Sequence, residues 1–144
     1  MTNLRVKMIH TTHTIRVRYA ETDPMKYVYY GNYATYFEVA RVELFRTLGM
    51  PYDAIEKQGI WLPVSEFSIK YLKPALYDQN LEIHTFIRKI PGVRIAFDYE
   101  IYNDSKEKIT EAKTTLFFLD AKKNKVISCP DFLMNLLLKN WKEI

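Results

Sequence analysis

The sequence contains very little cysteine and glycine. Cys129 is the only cysteine, and only four glycines occur in 144 residues. A single cysteine excludes an intrachain disulfide and is typical of proteins kept in a reducing compartment. With so few glycines, the chain has no glycine-rich phosphate-binding loop. Because Cys129 precedes Pro130 and has no evident histidine partner, we do not expect a catalytic thiol.

Long apolar runs and blocks of like charge are also absent. No apolar segment approaches the roughly 20 residues that cross a bilayer, and the first residues lack the apolar core of a secretory signal. The 21 basic and 17 acidic residues give a net charge of +4. They are interleaved, whereas nucleic-acid-binding proteins usually cluster their basic residues. We therefore predict a cytoplasmic protein with no membrane span and no nucleic-acid partner.

Residues 32–48 have the periodicity of a long helix. Apolar residues recur there at steps of three and four, namely Tyr33, Phe37, Ala40, Leu44 and Leu48. Asn32 is the predicted N-cap, and Gly49 is the predicted stop. The opposite side of this helix is also partly apolar, so other structure should cover most of its surface.

The rest of the chain reads mainly as strands joined by short turns. Alternating patterns predict strands at 12–19, 60–72, 81–87, 93–101, 107–119 and 126–127, with a helical turn at 54–57 and a helix at 130–141. The buried parity changes between Val64 and Phe67, which predicts a β-bulge or bend near Ser65–Glu66. Short turns indicate antiparallel pairing. We predict one α+β domain over residues 1–144, with a curved antiparallel sheet around one central helix, and its exposed strand edges make a homodimer plausible.

Asp23 is the candidate for chemistry, although a purely structural role is also open. An Asp-Pro pair such as Asp23-Pro24 commonly caps a turn or helix. The surrounding residues are apolar or aromatic, and include Tyr27, Tyr29 and Tyr30. Gly31-Asn32 would leave backbone N–H groups free at the positive end of the helix, where they could stabilise a developing oxyanion. An Asp23 that caps the loop could also act as a base.

The other polar candidates have structural interpretations. Glu38 and Arg41 are spaced to form an ion pair on the helix surface. The histidines His10, His13 and His84 have no partner at metal-binding spacing, so we expect surface histidines and no metal site.

Two runs of residues resemble a known family. They are Asp23-Pro24-x-x-x-Val28-Tyr29-Tyr30-x-Asn32-Tyr33 with Phe37-Glu38-x-Ala40-Arg41, and Ile69-x-Tyr71-x-x-Pro74-Ala75-x-x-Asp78-x-x-Leu81. Two later pairs, Glu111-Ala112 and Leu119-Asp120, also match the pattern, which therefore spans about residues 12–120. It resembles the hotdog-fold acyl-CoA thioesterases of the 4-hydroxybenzoyl-CoA thioesterase-like family, and acyl-carrier-protein thioesterases share much of it.

The resemblance implies hydrolysis of an acyl-CoA thioester in a homodimer or homotetramer, without a metal or other cofactor. It implies that Asp23 is the catalytic carboxylate, as general base or as nucleophile, and that the N–H groups of Tyr30 and Gly31 polarise the thioester carbonyl. Tyr29 and Asn32 would contact the substrate. Tyr30 stands where many relatives carry a histidine, and Met25-Lys26-Tyr27 is bulkier than the family's usual segment.

Two further expectations concern the substrate. The basic residues at the predicted 91–92 turn, Arg88, Lys89 and Arg94, are candidates for binding CoA phosphates, although a solvated turn would account for them as well. A hotdog protein that binds an acyl or aromatic ligand without hydrolysing it remains the alternative to an enzyme.

Overall fold

The computed structural model describes residues 6–143. Its elements follow one another as β1 (Lys7–Arg16), α1 (Asn32–Thr47), α2 (Tyr52–Lys57), β2 (Ile60–Trp61), β3 (Val64–Tyr71), β4 (Asn80–Ile87), β5 (Arg94–Tyr102), β6 (Lys108–Asp120), β7 (Lys125–Ile127), α3 (Asp131–Lys139) and β8 (Lys142–Glu143). A short 3-10 helix, Tyr19–Glu21, precedes the loop that contains Asp23. No helix within these residues is both long enough and apolar enough to span a bilayer.

The strands form one antiparallel sheet in the order β3–β6–β5–β4–β1–β8. The short strands β2 and β7 pair with the end of β6. Side chains of one parity on β4 and β5 are buried, including Ile83, Ile87, Phe97 and Tyr99. The α+β prediction of an antiparallel sheet with one long helix is confirmed.

Helix α1 packs against the apolar face of this sheet. The rings of Phe37 and Tyr99 are 4.4 Å apart, and those of Phe45 and Phe97 are 6.0 Å apart. The helix stops as predicted at Gly49, which has a φ of +92°. The N–H of Gly49 donates to the carbonyl of Arg46, and the N–H of Met50 donates to that of Phe45. This pair of hydrogen bonds is a Schellman motif, which satisfies the last carbonyls of the helix.

The predicted bulge is confirmed, because the register with β6 shifts between Val64 and Glu66. Two details of the first half are wrong. The first strand begins at Lys7 and ends at Arg16, so Tyr19 lies beyond it and is 73% exposed. Asn32 is not the N-cap of α1: Gly31 occupies that position, and the Asn32 side-chain amide donates to the carbonyl of Glu21 instead.

The predicted surface pair of Glu38 and Arg41 is also wrong. Arg41 is buried, and its Nη1 donates to the hydroxyl of Tyr99 at 3.1 Å. The i,i+3 ion pair on α1 is formed by Glu43 and Arg46 instead. Arg41 lies on the buried face of α1 beside Tyr99, a distant partner that a charge-spacing rule along the helix does not anticipate.

Strand β3 is an edge strand. It pairs with β6 on one side, and no strand of residues 6–143 pairs with its other side. Most of its side chains are exposed, including Val64 at 50% and Phe67 at 42%. An edge that exposes apolar side chains is a surface on which a second chain can pair.

Candidate active site

Asp23 lies in a tight loop that is closed by backbone hydrogen bonds. Thr22 and Val28 form an antiparallel bridge, and the N–H of Asp23 donates to the carbonyl of Tyr27 at 2.8 Å. The N–H of Val28 then donates to the carbonyl of Ala75 at 2.9 Å. The loop is thereby fixed at its base and also tied to the segment that follows β3.

One oxygen of the Asp23 carboxylate is used to hold this loop. Its Oδ1 accepts hydrogen bonds from the N–H of Met25 at 2.9 Å and of Tyr27 at 3.2 Å. Asp23 therefore caps its own loop, which is one of the two roles open to it. Its Oδ2 accepts no hydrogen bond within residues 6–143. The half-buried carboxylate is thus oriented by one oxygen and has the other available.

Two backbone N–H groups are unused at the start of α1. The N–H of Tyr29 donates to the carbonyl of Glu21, and the N–H of Asn32 donates to the carbonyl of Tyr29, each at 2.9 Å. Between them, the N–H groups of Tyr30 and Gly31 meet no acceptor in the described part of the chain. They precede the first turn of a 16-residue helix, where the helix dipole favours negative charge.

An open cleft of about 680 Å³ adjoins both Asp23 and Tyr30. Its wall is mostly apolar and aromatic, and is formed by Asp23, Pro24, Tyr27, Val28, Tyr29, Tyr30, Tyr33, Tyr71, Leu72, Lys73 and Pro74. A cleft of this size can hold a drug-sized ligand. It therefore brings together the candidate carboxylate, the Tyr30 segment and the substrate-contacting candidate Tyr29.

Glu21 links the Asp23 loop to α1. Its backbone carbonyl accepts hydrogen bonds from Tyr29 N–H and from the Asn32 side chain. Its carboxylate accepts the hydroxyl of the buried Tyr36 at 3.0 Å and two further hydrogen bonds from the Arg18 side chain. These bonds fix the separation between the loop and the helix start. Glu21 is not among the residues predicted from the sequence. The one signal for it was that an acidic residue lies two positions before Asp23.

The tyrosines of the cleft are held by contacts to one another. The hydroxyl of Tyr71 donates to the carbonyl of Tyr30 at 3.2 Å, and the rings of Tyr33 and Tyr71 meet edge to face at 5.1 Å. Burial raises the pKa of Tyr33, so this phenol stays neutral at physiological pH. A hydrogen bond with Tyr30 raises the pKa of Tyr29. The aromatic part of the wall is therefore uncharged at physiological pH, and the charged residues of the lining are Asp23 and Lys73.

The three predicted phosphate-binding residues do not line this cleft. Arg88 pairs with Asp98 at 3.0 Å and lies over the ring of Phe86, on the outer face of the sheet. Lys89 and Arg94 are exposed at the turn between β4 and β5. Their role in CoA binding stays a prediction.

Two histidines that are far apart in sequence meet on the outer face of the sheet. Nε2 of His10 lies 2.7 Å from Nδ1 of His84, and Nε2 of His84 lies 2.6 Å from the carboxylate of Glu82. The pairing of β1 with β4 brings them together, which spacing along the chain cannot indicate. No group of three or more potential ligands within residues 6–143 is arranged to hold a metal ion. Burial raises the pKa of the Cys129 thiol to about 11, so it stays protonated at neutral pH.

Comparison with known proteins identifies the family. The model of the thioesterase-like superfamily matches residues 17–137. The chain belongs to this superfamily. The family resemblance of the Asp23 and Tyr71 runs is thereby confirmed, and so is the prediction that the protein is a thioester hydrolase.

Relatives within the thioesterase-like superfamily cover most of this chain. The Bacillus subtilis protein named "Putative acyl-CoA thioesterase YneP" is 38% identical over 113 residues, covering 78% of this chain and 82% of its own. The acyl-CoA thioester hydrolase YbgC of Escherichia coli O6:H1 is 29% identical over 116 residues, covering 81% and 87% respectively. A solved structure of a DHNA-CoA thioesterase from Staphylococcus aureus is 38% identical, with a TM-score of 0.79 over 83% of this chain and 80% of that one.

Proposed function

We propose that the protein hydrolyses an acyl-CoA thioester to a free carboxylic acid and CoA, with Asp23 as the catalytic carboxylate. The observation that supports this most strongly is that one mostly apolar cleft is lined by Asp23, whose Oδ2 is unused, and by Tyr30, whose N–H and that of the following Gly31 are unused. The relatives named as acyl-CoA thioesterases and hydrolases support the CoA part of the substrate.

The thioester carbonyl oxygen would accept hydrogen bonds from the N–H groups of Tyr30 and Gly31. Addition of the attacking oxygen, from water or from Asp23, to the carbonyl carbon then gives a tetrahedral species. The former carbonyl oxygen of this species is negatively charged, and the two N–H groups stabilise that charge. Collapse of this species breaks the carbon–sulfur bond and releases CoA as a thiolate, which takes up a proton. Loss of one donor to such an oxyanion typically costs about 3–4 kcal/mol of transition-state stabilisation.

Asp23 has two possible roles in this step. As a general base, its Oδ2 takes a proton from the attacking water. As a nucleophile, Oδ2 bonds to the carbonyl carbon and forms an anhydride, which water then hydrolyses. A single turnover in ¹⁸O-labelled water distinguishes them. The base route places the label only in the acid product, whereas attack of water on the aspartyl carbonyl of an anhydride places it in Asp23.

An aromatic acyl group is the substrate class that the cleft favours. Tyr27, Tyr29, Tyr33 and Tyr71 all line it, and aromatic rings pack well against one another edge to face or offset. The Staphylococcus aureus relative is a DHNA-CoA thioesterase. Thiol release from a panel of short-chain, long-chain and aromatic acyl-CoAs tests both the reaction and the preference. Binding without thiol release would support a non-hydrolytic ligand-binding protein instead.

We infer that the active protein is at least a homodimer that pairs through the free edge of β3. Val64 and Phe67 are exposed there, beside an apolar hollow of about 270 Å³ that reaches Ala34 and Arg41 on α1. Burying these side chains against a second copy would remove apolar surface from water and satisfy the open edge of the sheet.

A further inference from the structure

Lys26 adopts a backbone conformation that lysine rarely occupies. Its φ is +66°, in the left-handed region that glycine enters without steric cost. Two hydrogen bonds hold it there: its N–H donates to the carbonyl of Asp23 at 2.9 Å, and its carbonyl accepts the N–H of Tyr77 at 3.1 Å. A glycine would make the same turn with less strain. The lysine side chain is therefore retained at a cost to stability, which is typical of functional segments.

The charge of Lys26 is not used to stabilise the fold. Lys26 is exposed, and it forms no ion pair with any carboxylate of residues 6–143. Lys106 offers a comparison, because it is also a lysine in the left-handed region, with a φ of +62°. Nζ of Lys106 pairs with Glu82 at 3.3 Å. The strain at Lys106 thus accompanies an ion pair within the protein, whereas Lys26 has its ammonium group available for a ligand.

Exposed aromatic rings lie next to Lys26. Tyr77, whose N–H donates to Lys26, is 47% exposed, and its ring meets that of Tyr19 edge to face at 5.6 Å. Tyr19 is 73% exposed. An exposed lysine whose backbone is hydrogen-bonded to that of an exposed tyrosine suits a nucleotide, because the ammonium group can pair with phosphate and the ring can stack on the base.

We propose that Lys26 binds a phosphate of the CoA portion of the substrate and that the ring of Tyr77 stacks with its adenine. This proposal rests on the proposed function, in which the substrate is an acyl-CoA. Lys26 follows Asp23 by three residues in the same hydrogen-bonded loop, so the loop that carries the candidate carboxylate would also carry, on the flexible lysine stem, a cation for the phosphates at the far end of the pantetheine arm. The need for the charge explains why the strained position is occupied by lysine.

The test compares two substrates with the same acyl group, acyl-CoA and acyl-pantetheine, which lacks the phosphates and the adenosine. In Lys26→Gly, the KM for acyl-CoA should rise about three- to fivefold at low salt, as expected for loss of one exposed ion pair. The KM for acyl-pantetheine should not change. Lys26→Arg should keep the KM for acyl-CoA within about twofold of the wild type, and Tyr77→Leu should raise it for acyl-CoA only.

Lys106→Gly is the matched control. This substitution relieves the same kind of backbone strain, but at a residue whose partner Glu82 lies on the outer face of the sheet. It should therefore leave both KM values unchanged. Thermal unfolding of Lys26→Gly should occur at a higher temperature than in the wild type, because the glycine removes the strain. A variant that is more stable and yet binds acyl-CoA more weakly identifies a residue kept for its ligand.

Two results would overturn this assignment. One is an unchanged KM for acyl-CoA in Lys26→Gly, and the other is an equal rise for acyl-pantetheine. If the wild type releases no thiol from any substrate, the proposed hydrolysis fails, but calorimetric titration with CoA still tests Lys26. Weaker CoA binding by Lys26→Gly would support the site, whereas equal affinities or no binding by the wild type would refute it.

Discussion

The hydrogen bond between Tyr36 and Glu21 should measurably stabilise the connection between the Asp23 loop and α1. Tyr36→Phe removes only the hydroxyl that donates to the Glu21 carboxylate at 3.0 Å. Tyr36 is 3% exposed, so water cannot easily replace the lost donor. Hydrogen bonds to charged groups contribute roughly 1.5–3 kcal/mol. We expect a loss of about 2 kcal/mol, because the Arg18 N–H still donates to the same oxygen of Glu21.

The loss of stability in Tyr36→Phe should depend on pH. Burial alone would raise the pKa of Glu21, but hydrogen bonds from the Arg18 N–H, the Arg18 side chain and the Tyr36 hydroxyl outweigh burial and lower this pKa. A carboxyl group with a lowered folded pKa stabilises the protein above its unfolded pKa, and this stabilisation is lost as pH falls through the folded pKa. The difference between Tyr36→Phe and the wild type should therefore be full at pH 7 and shrink below about pH 4.

Urea unfolding at pH 7 and at pH 3.5 measures this difference. With a urea m-value of about 2 kcal/mol/M, the midpoint at pH 7 should fall by about 1 M. Tyr102→Phe is the matched control, because its hydroxyl donates to Glu100 at 2.8 Å on the outer face of the sheet. The control should lose less stability and keep full turnover, whereas Tyr36→Phe should also lose turnover. Equal losses in the two variants, or a loss that persists unchanged in acid, would refute the reasoning.

Three other substitutions test separate parts of the structure. Gly31→Ala should lower turnover, because its Cβ would lie 2.8 Å from Cε1 of Tyr29 and displace this exposed ring of the cleft. Stability should change by less than about 1 kcal/mol. Gly92→Ala, whose Cβ would meet nothing within 4 Å, is the control, and normal turnover in Gly31→Ala would contradict this prediction. Burial and then His84 lower the pKa of His10, so stability should fall as pH drops below about 6.5. In urea unfolding at pH 7.5 and 5.5, His10→Gln should lose part of this dependence and His13→Gln should retain it; an unchanged slope in His10→Gln would count against the His10–His84 contact. Phe67→Glu should dissociate the inferred dimer in sedimentation experiments, and an unchanged molar mass would exclude the β3 edge as the interface.

The features that depend on local pattern could be predicted from the sequence. Apolar alternation located β4 and β5 within a residue, and helical periodicity with Gly49 located the end of α1. The parity change near Ser65 predicted the bulge, because a strand cannot bury both parities on one face. These features arise from interactions between residues that are close in sequence.

The features that depend on tertiary contacts could not be predicted. Asn32 was predicted to be an N-cap, but its side-chain amide donates to the carbonyl of Glu21 across the loop, eleven residues away. Arg41 looked like a surface ion-pair partner, but the packing of α1 on β5 places it beside Tyr99. The meeting of His10 with His84 requires the β1–β4 register. In each case a distant partner competes with the local one, and only the fold decides between them.

The candidate site was only partly predictable for the same reason. The run from Asp23 to Asn32 indicated the loop and the helix start, since both are local in sequence. The wall of the cleft also includes Tyr71, the last residue of the edge strand β3, and Pro74, which follows it. Their approach to Tyr30 depends on the sheet topology, so the shape of the acyl pocket could not be derived from the loop sequence.

Turnover by Asp23→Asn tests the central claim most directly. Asn keeps a side-chain oxygen that can accept from the N–H groups of Met25 and Tyr27, so the loop should fold, but the amide can neither take a proton nor attack a carbonyl. Asp120→Asn is the matched control, because Oδ1 of Asp120 likewise accepts two backbone N–H groups in a turn. We predict at least about a hundredfold loss of kcat in Asp23→Asn and wild-type kcat in the control. Wild-type thiol release by a folded Asp23→Asn would contradict the assignment.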